Sequence, residues 1–127
     1  ANASENLFEK AKKNFEKKDY DKSKFLFQRN IVFNPKNAES YLYLAKIFKT
    51  EENQEEEEKN LDTTLLLEPN NEEAIYMLIN IQLDRSNFDK ANTLMDRFAS
   101  VCKKMCNKKK EISKSLQDFE ANNAKTN

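Results

Sequence analysis

The 127-residue sequence contains no glycine, no histidine and no tryptophan, and only two prolines and two cysteines. Glycine supplies left-handed turns and lets a backbone close tightly on a phosphate. Its absence excludes glycine-rich nucleotide loops and argues against tight β-hairpins. Without histidine, the commonest general acid–base and the commonest metal ligand are missing. Two cysteines alone fall short of the four ligands of a zinc site. The glutamate run lacks the Asp/Asn spacing and the glycine of a calcium loop. These absences predict a chain that is not an enzyme, with no catalytic residue, no metal and no cofactor. The longest strictly aliphatic run is Leu65-Leu66-Leu67, far short of the roughly 20 apolar residues of a membrane span. Net charge is zero, from 22 acidic and 22 basic residues, so the overall basic footprint of a nucleic-acid binder is missing too.

What remains is 38% apolar and 35% charged. Compact domains average about 45–50% and about 25%, so a thin core with much solvated surface is expected. Glu51, Glu52 and Glu55 to Glu58 form an acidic block, and Lys103, Lys104 and Lys108 to Lys110 a basic one. Each is either a solvated face or an electrostatic docking patch. The opening Ala1-Asn2-Ala3 fits a cloning scar, a trimmed boundary, or the stub left by cleavage at a small-x-small signal site.

The sequence repeats itself. Pro35 and Pro69 stand 34 residues apart. Asn34-Pro35-Lys36-Asn37-Ala38-Glu39 returns one step later as Glu68-Pro69-Asn70-Asn71-Glu72-Glu73. Asp19-Tyr20-Asp21-Lys22-Ser23 returns two steps later as Asn87-Phe88-Asp89-Lys90-Ala91. Tyr41, Leu44, Ala45 and Phe48 mark one face of a helix, and Ile75, Leu78, Ile79 and Gln82 repeat it. Phe27, Leu61 and Met95 share the step and are expected at equivalent core sites. Asn37 and Asn71 suit helix N-caps, followed by Glu39, Glu72 and Glu73 in first turns, where the helix dipole favours them. This punctuation predicts helices over about 4–17, 20–33, 38–51, 54–67, 72–85, 88–101 and 108–121. A single helix over 88–121 is the alternative for the last two, because Val101, Met105, Ile112, Leu116 and Phe119 keep roughly one face.

A 34-residue helix-turn-helix step resembles that of the tetratricopeptide repeat. The matching residues are Leu7, Tyr41 and Ile75 early in the first helices, then Ala11, Ala45 and, less typically, Ile79 where two helices approach closely. Tyr20 and Phe88 follow at the turn, Ser23 and Ala91 in the second helices, and Pro35 and Pro69 at the repeat ends. The resemblance implies an all-α solenoid of antiparallel helix pairs in one domain over 1–127. Its repeats span about 4–37, 38–71 and 72–105, with a capping helix over about 106–121 and a polar tail, 122–127, expected to fray. There are departures. Gln54 and Glu57 replace an aromatic and a small residue, so a looser or shifted turn is expected in the second repeat. Lys10 replaces a leucine, as suits a solvated terminal face. Lys103 replaces a proline, so the second helix of the third repeat is free to run on.

Proteins of this family bind partners in a groove lined by the first helices of successive repeats. The resemblance places Glu5, Phe8, Glu9, Lys12 and Phe15 there in the first repeat. Glu39, Leu42, Tyr43, Lys46 and Lys49 follow in the second, and Glu73, Tyr76, Met77, Asn80 and Leu83 in the third. The expected peptide-binding residues are Phe8, Lys12, Leu42, Tyr43, Lys46, Lys49, Tyr76, Met77 and Asn80. Some members grip a chaperone's C-terminal carboxylate with Lys, Asn and Arg. Here the matching places hold Phe8, Lys12, Tyr43, Glu73 and Met77, so no such clamp is expected. The implied function is a protein-binding module for an extended or helical peptide. The alternatives are a self-associating or structural piece of a larger array, with its groove filled by its own last helix, and a single-stranded RNA binder using Phe and Tyr platforms. Cys102 and Cys106 are either two reduced, partly buried side chains of a cytosolic protein or a local disulfide of an exported one.

Overall fold

The computed structural model describes residues 3–126, and side chains from Asn6 to Asn122. Glu5, expected to face the groove, lies outside the described side chains. The described residues form seven α-helices and no strand. They group into two compact units, residues 1–69 and residues 70–127, divided at a repeat boundary.

The first unit contains α1 (Ala3–Glu16), α2 (Tyr20–Phe33), α3 (Ala38–Thr50) and α4 (Gln54–Leu67). Each helix packs on the next. Ala11, Phe27, Leu44 and Ile47 are buried at its centre, with Phe8, Phe15, Tyr20, Leu26, Ile31, Tyr43 and Phe48 packed around them. Leu61 is fully buried on α4. Two buried polar bonds tie helices together: the Ser23 hydroxyl donates to the Ala11 carbonyl at 2.8 Å, and Asn30 Nδ2 donates to Ser40 Oγ at 3.0 Å. A buried hydroxyl or amide is costly unless it is hydrogen-bonded, so both bonds fix the register of neighbouring helices.

The second unit contains α5 (Glu72–Asp84), α6 (Phe88–Val101), a single 3₁₀ turn (Cys106–Lys108) and α7 (Lys109–Thr126). Helix α7 packs on both α5 and α6 and buries Ile112 and Leu116. Phe119 stacks on Phe88.

The turns inside the helix pairs are built alike. Lys18, Glu52 and Ser86 have left-handed φ of 64°, 59° and 58° and stand at 34-residue steps. After each, an amide reaches back to the helix just ended: Asp19 to Asn14 at 2.9 Å, Asn53 to Phe48 at 2.9 Å and Asn87 to Gln82 at 2.8 Å. This is the glycine-type helix ending, carried out by Lys, Glu and Ser at a cost of roughly 1–2 kcal/mol each. Asp19 and Asn53 then cap the next helix, accepting from Lys22 N–H and Glu56 N–H. The repeats themselves are joined through Asn37 and Asn71, whose side chains accept from Ser40 N–H at 2.8 Å and Ala74 N–H at 2.9 Å.

Several sequence expectations need correction. The second repeat's turn is neither looser nor shifted, although Glu57 is buried, because the left-handed Glu52 and the Asn53 cap set it in the same register as the other two. Met95 is only half-buried, and Phe98, one turn later, fills the core instead. Helices α6 and α7 are separate, as the seven-helix reading has it, with the break at Cys102 to Met105; the alternative of one helix over 88–121 is the one that falls. The last helix starts at Lys109 and continues to Thr126, past the expected end near 121 and through the residues expected to fray. Glu111 in its first turn offsets the unfavourable lysines there.

Candidate functional site

Helices α1 and α3 bring four of the expected binding residues together in the first unit. The Tyr43 ring lies flat on the buried Phe27 ring, at 4.9 Å and 10°. Phe15 meets Tyr43 edge-on at 5.0 Å, and Phe8 does so at 6.4 Å. Aromatic pairs favour these offset and edge-to-face arrangements. Two lysines complete the patch. Lys12 Nζ sits 5.7 Å from the centre of the Phe8 ring, and Lys46 Nζ sits 5.0 Å from that of Tyr43. A cation over an aromatic face is worth about 0.5–1 kcal/mol at exposed sites. Phe8, Lys12, Phe15, Tyr43 and Lys46 are all half-buried, so the patch is anchored in the core while its outer surface stays accessible. It offers flat apolar surface bordered by positive charge.

Leu42 is buried on α3 and is not one of the side chains of this cluster. Lys49 is exposed in the last turn of α3. Among the expected residues of the second unit, Met77 is buried and offers little surface. Asn80 is half-buried. Tyr76 is held by the C-terminal segment: its hydroxyl donates to Glu111 Oε1 at 2.8 Å, and Lys108 Nζ lies 5.6 Å from the ring centre. Phe98 packs beside it at 6.2 Å. Tyr76 is thus bound within its own unit, through the first turn of α7.

One turn before Tyr76, Glu72 makes a contact that the sequence did not announce. Its carboxylate accepts from Lys103 N–H at 2.8 Å and Lys104 N–H at 3.0 Å, and also from Met105 N–H. The loop that presents these three amides is closed by a disulfide between Cys102 and Cys106, with Cα atoms 5.3 Å apart. Burial raises the Glu72 carboxyl, but the three backbone hydrogen bonds and the charge of Lys104 outweigh it and hold the group below its ordinary value of 4.5. In the sequence Glu72 stands out only as a first-turn acid, because nothing local pairs it with a loop 31 to 33 residues away. The disulfide was one of two readings and is the one the structure contains. A recess lined by Asn71, Glu72, Glu73, Lys104 and Met105 opens beside this junction. Among the described residues, no group of three His, Cys, Asp or Glu side chains is placed to hold a metal ion, and no helix is long and apolar enough to cross a membrane.

No family sequence model matches the chain, and no curated protein matches it in sequence. Solved structures do match its fold. The type III secretion chaperone SycD of Yersinia enterocolitica, in complex with a peptide of the translocator YopD, is similar at TM-score 0.79 and 11% identity, over 94% of this chain and 93% of that one. The first tetratricopeptide domain of Spaghetti, bound to the HSP90 peptide SRMEEVD, is similar at TM-score 0.75 and 16% identity, over 90% of this chain and 95% of that one. The Sgt2 tetratricopeptide domain from Aspergillus fumigatus is similar at TM-score 0.73 and 12% identity, over 99% of this chain and 82% of that one.

Proposed function

We propose, from the tetratricopeptide-repeat fold of this chain, that it is a protein-interaction module and not an enzyme, and that it holds a peptide segment of a partner protein. The observation that carries this reading is the aromatic patch of the first unit, Phe8, Phe15 and Tyr43, bordered by Lys12 and Lys46. A flat, rigid aromatic surface gives large contact area at low entropic cost, and aromatic residues dominate the energetics of such sites. The two cations select a ligand with an acidic side chain beside its apolar anchor. Two of the solved structures of the same fold hold peptides, of YopD and of HSP90, which supports the reading. The ligand is not gripped by a carboxylate clamp, since the places that would form one hold Phe8, Lys12, Tyr43, Glu73 and Met77.

In the second unit Tyr76 is occupied by the chain's own α7, through Glu111. A ligand reaching Tyr76 has to displace that bond. The peptide contact is therefore assigned to the first unit, and Tyr76, Met77 and Asn80 of the second are not needed for it. Neutral overall charge weighs against an RNA ligand, whose binding would weaken steeply with salt.

The test is to select linear peptides from a random display library on the folded chain, then measure affinity by titration. Selected peptides should share an aromatic or aliphatic anchor next to an acidic residue. Lys12→Glu combined with Lys46→Glu should weaken them more than tenfold at unchanged helicity. Equal affinity for the double variant would rule the patch out.

A further inference from the structure

Helix α2 presents a second apolar surface, on residues that the aromatic patch does not use. Phe25, Val32 and Phe33 are 57%, 76% and 56% exposed. With 3.6 residues per turn they share one side of the helix with Lys22 and Arg29, and the Arg29 guanidinium lies 5.8 Å from the centre of the Phe25 ring. Three large apolar side chains held in water on one helix are unusual for a surface that stays uncovered.

The same compact unit carries a complementary surface. Leu66 on α4 is 82% exposed and stands one 34-residue step after Val32. Glu55, Asp62 and Lys59 lie on its side of the helix, with Glu58 at the margin, so this side is acidic by one net charge and by two with Glu58. Over its fourteen residues α2 has three basic side chains and one acidic. Over the same length α4 has five acidic and one basic. Asp62 is exposed, but partial desolvation of its carboxyl and the nearby Glu58 both raise it, so an arriving cation relieves a repulsion already present.

We propose that the chain pairs with a second copy of itself, α2 of one copy lying along α4 of the other. Phe25, Val32 and Phe33 meet Leu66, and Lys22 and Arg29 meet Glu55 and Asp62, which have the same seven-residue spacing. A two-fold axis forms each of these contacts twice. Charge complementarity selects this occupant: α2 needs an acidic helix with an exposed apolar residue, and α4 is one.

The experiment is sedimentation equilibrium of the whole chain from low micromolar to millimolar concentration. The wild type should follow a monomer–dimer equilibrium. Arg29→Glu and Asp62→Arg, both at exposed sites, should each weaken dimerisation at least tenfold with unchanged circular dichroism. An equimolar mixture of the two variants should restore it, because each cross-contact then joins opposite charges. A wild type that stays monomeric throughout overturns the proposal. So does a dimer indifferent to both reversals, or a mixture that associates no better than its components.

Discussion

Tyr43 and Phe27 lie face to face, ring centres 4.9 Å apart and planes 10° from parallel. One ring belongs to the proposed binding surface and the other is fully buried. The surface and the core of the first unit are therefore one packing system. Phe27→Ala should cost about 3–5 kcal/mol and Leu61→Ala about 2–5 kcal/mol, by transfer and cavity terms together. Tyr43→Ala should also lower stability, whereas Tyr43→Phe, which keeps the stack, should not. Denaturant midpoints read all four. A loss under about 1 kcal/mol at both Phe27 and Leu61 would contradict the core assignment.

The chain pays for having no glycine at three turns. Lys18, Glu52 and Ser86 hold left-handed φ between 58° and 64°, where glycine carries no Cβ penalty. Replacing any one by glycine should raise stability by about 1 kcal/mol, the strain relief outweighing the greater freedom of the unfolded chain. Valine at the same site should lower it. If glycine proved destabilising at all three, these turns would not have the described backbone.

The Cys102–Cys106 bridge closes a very short loop, so its entropic contribution is about 2 kcal/mol. Unreduced protein should show no free thiols. Reduction, or Cys102→Ser with Cys106→Ser, should speed hydrogen exchange at the amides of Lys103 to Met105 and leave α1 to α4 unchanged. Free thiols in unreduced protein from its native compartment would remove both the bridge and the exported reading of this cysteine pair.

Glu72 makes the same junction sensitive to acid. Its folded carboxyl titrates below the ordinary 4.5, held there by the amides of Lys103 to Met105 and by Lys104 against the opposing effect of burial. A depressed folded value means that the contribution is complete above the unfolded value and is lost as pH falls through the folded one. Glu72→Gln should therefore flatten the acid side of the stability curve while changing little in its shape near neutrality. Parallel slopes for the two proteins between neutral and acid pH would show that Glu72 contributes nothing there.

Much of the fold was legible because its determinants are local and repeated. Pro35 and Pro69, the Asn37 and Asn71 caps, and the Tyr20 and Phe88 turn positions placed six helices within a residue or so of where they lie. The turn backbone was not legible, because left-handed residues are recognised by glycine and this chain uses Lys, Glu and Ser. The Glu72 contact was invisible for another reason: it joins a first-turn acid to backbone amides thirty residues on, and amides carry no sequence signal. Phe8, Lys12, Tyr43 and Lys46, which the resemblance assigned to a groove, pack together in the first unit. Leu42 and Met77 are buried instead. Helical spacing assigns a side, and a groove floor and a helix–helix contact share that side.

The proposed binding surface is tested most directly by amide and aromatic chemical-shift mapping of the chain titrated with a selected peptide. Shifts are expected at Phe8, Lys12, Phe15, Tyr43 and Lys46, saturating together with the measured affinity. The α2 stripe of Phe25, Val32 and Phe33 should stay unmoved, and so should the basic segment from Lys103 to Lys110. Saturating shifts confined to that basic segment or to α2, with Tyr43 silent, would contradict the account.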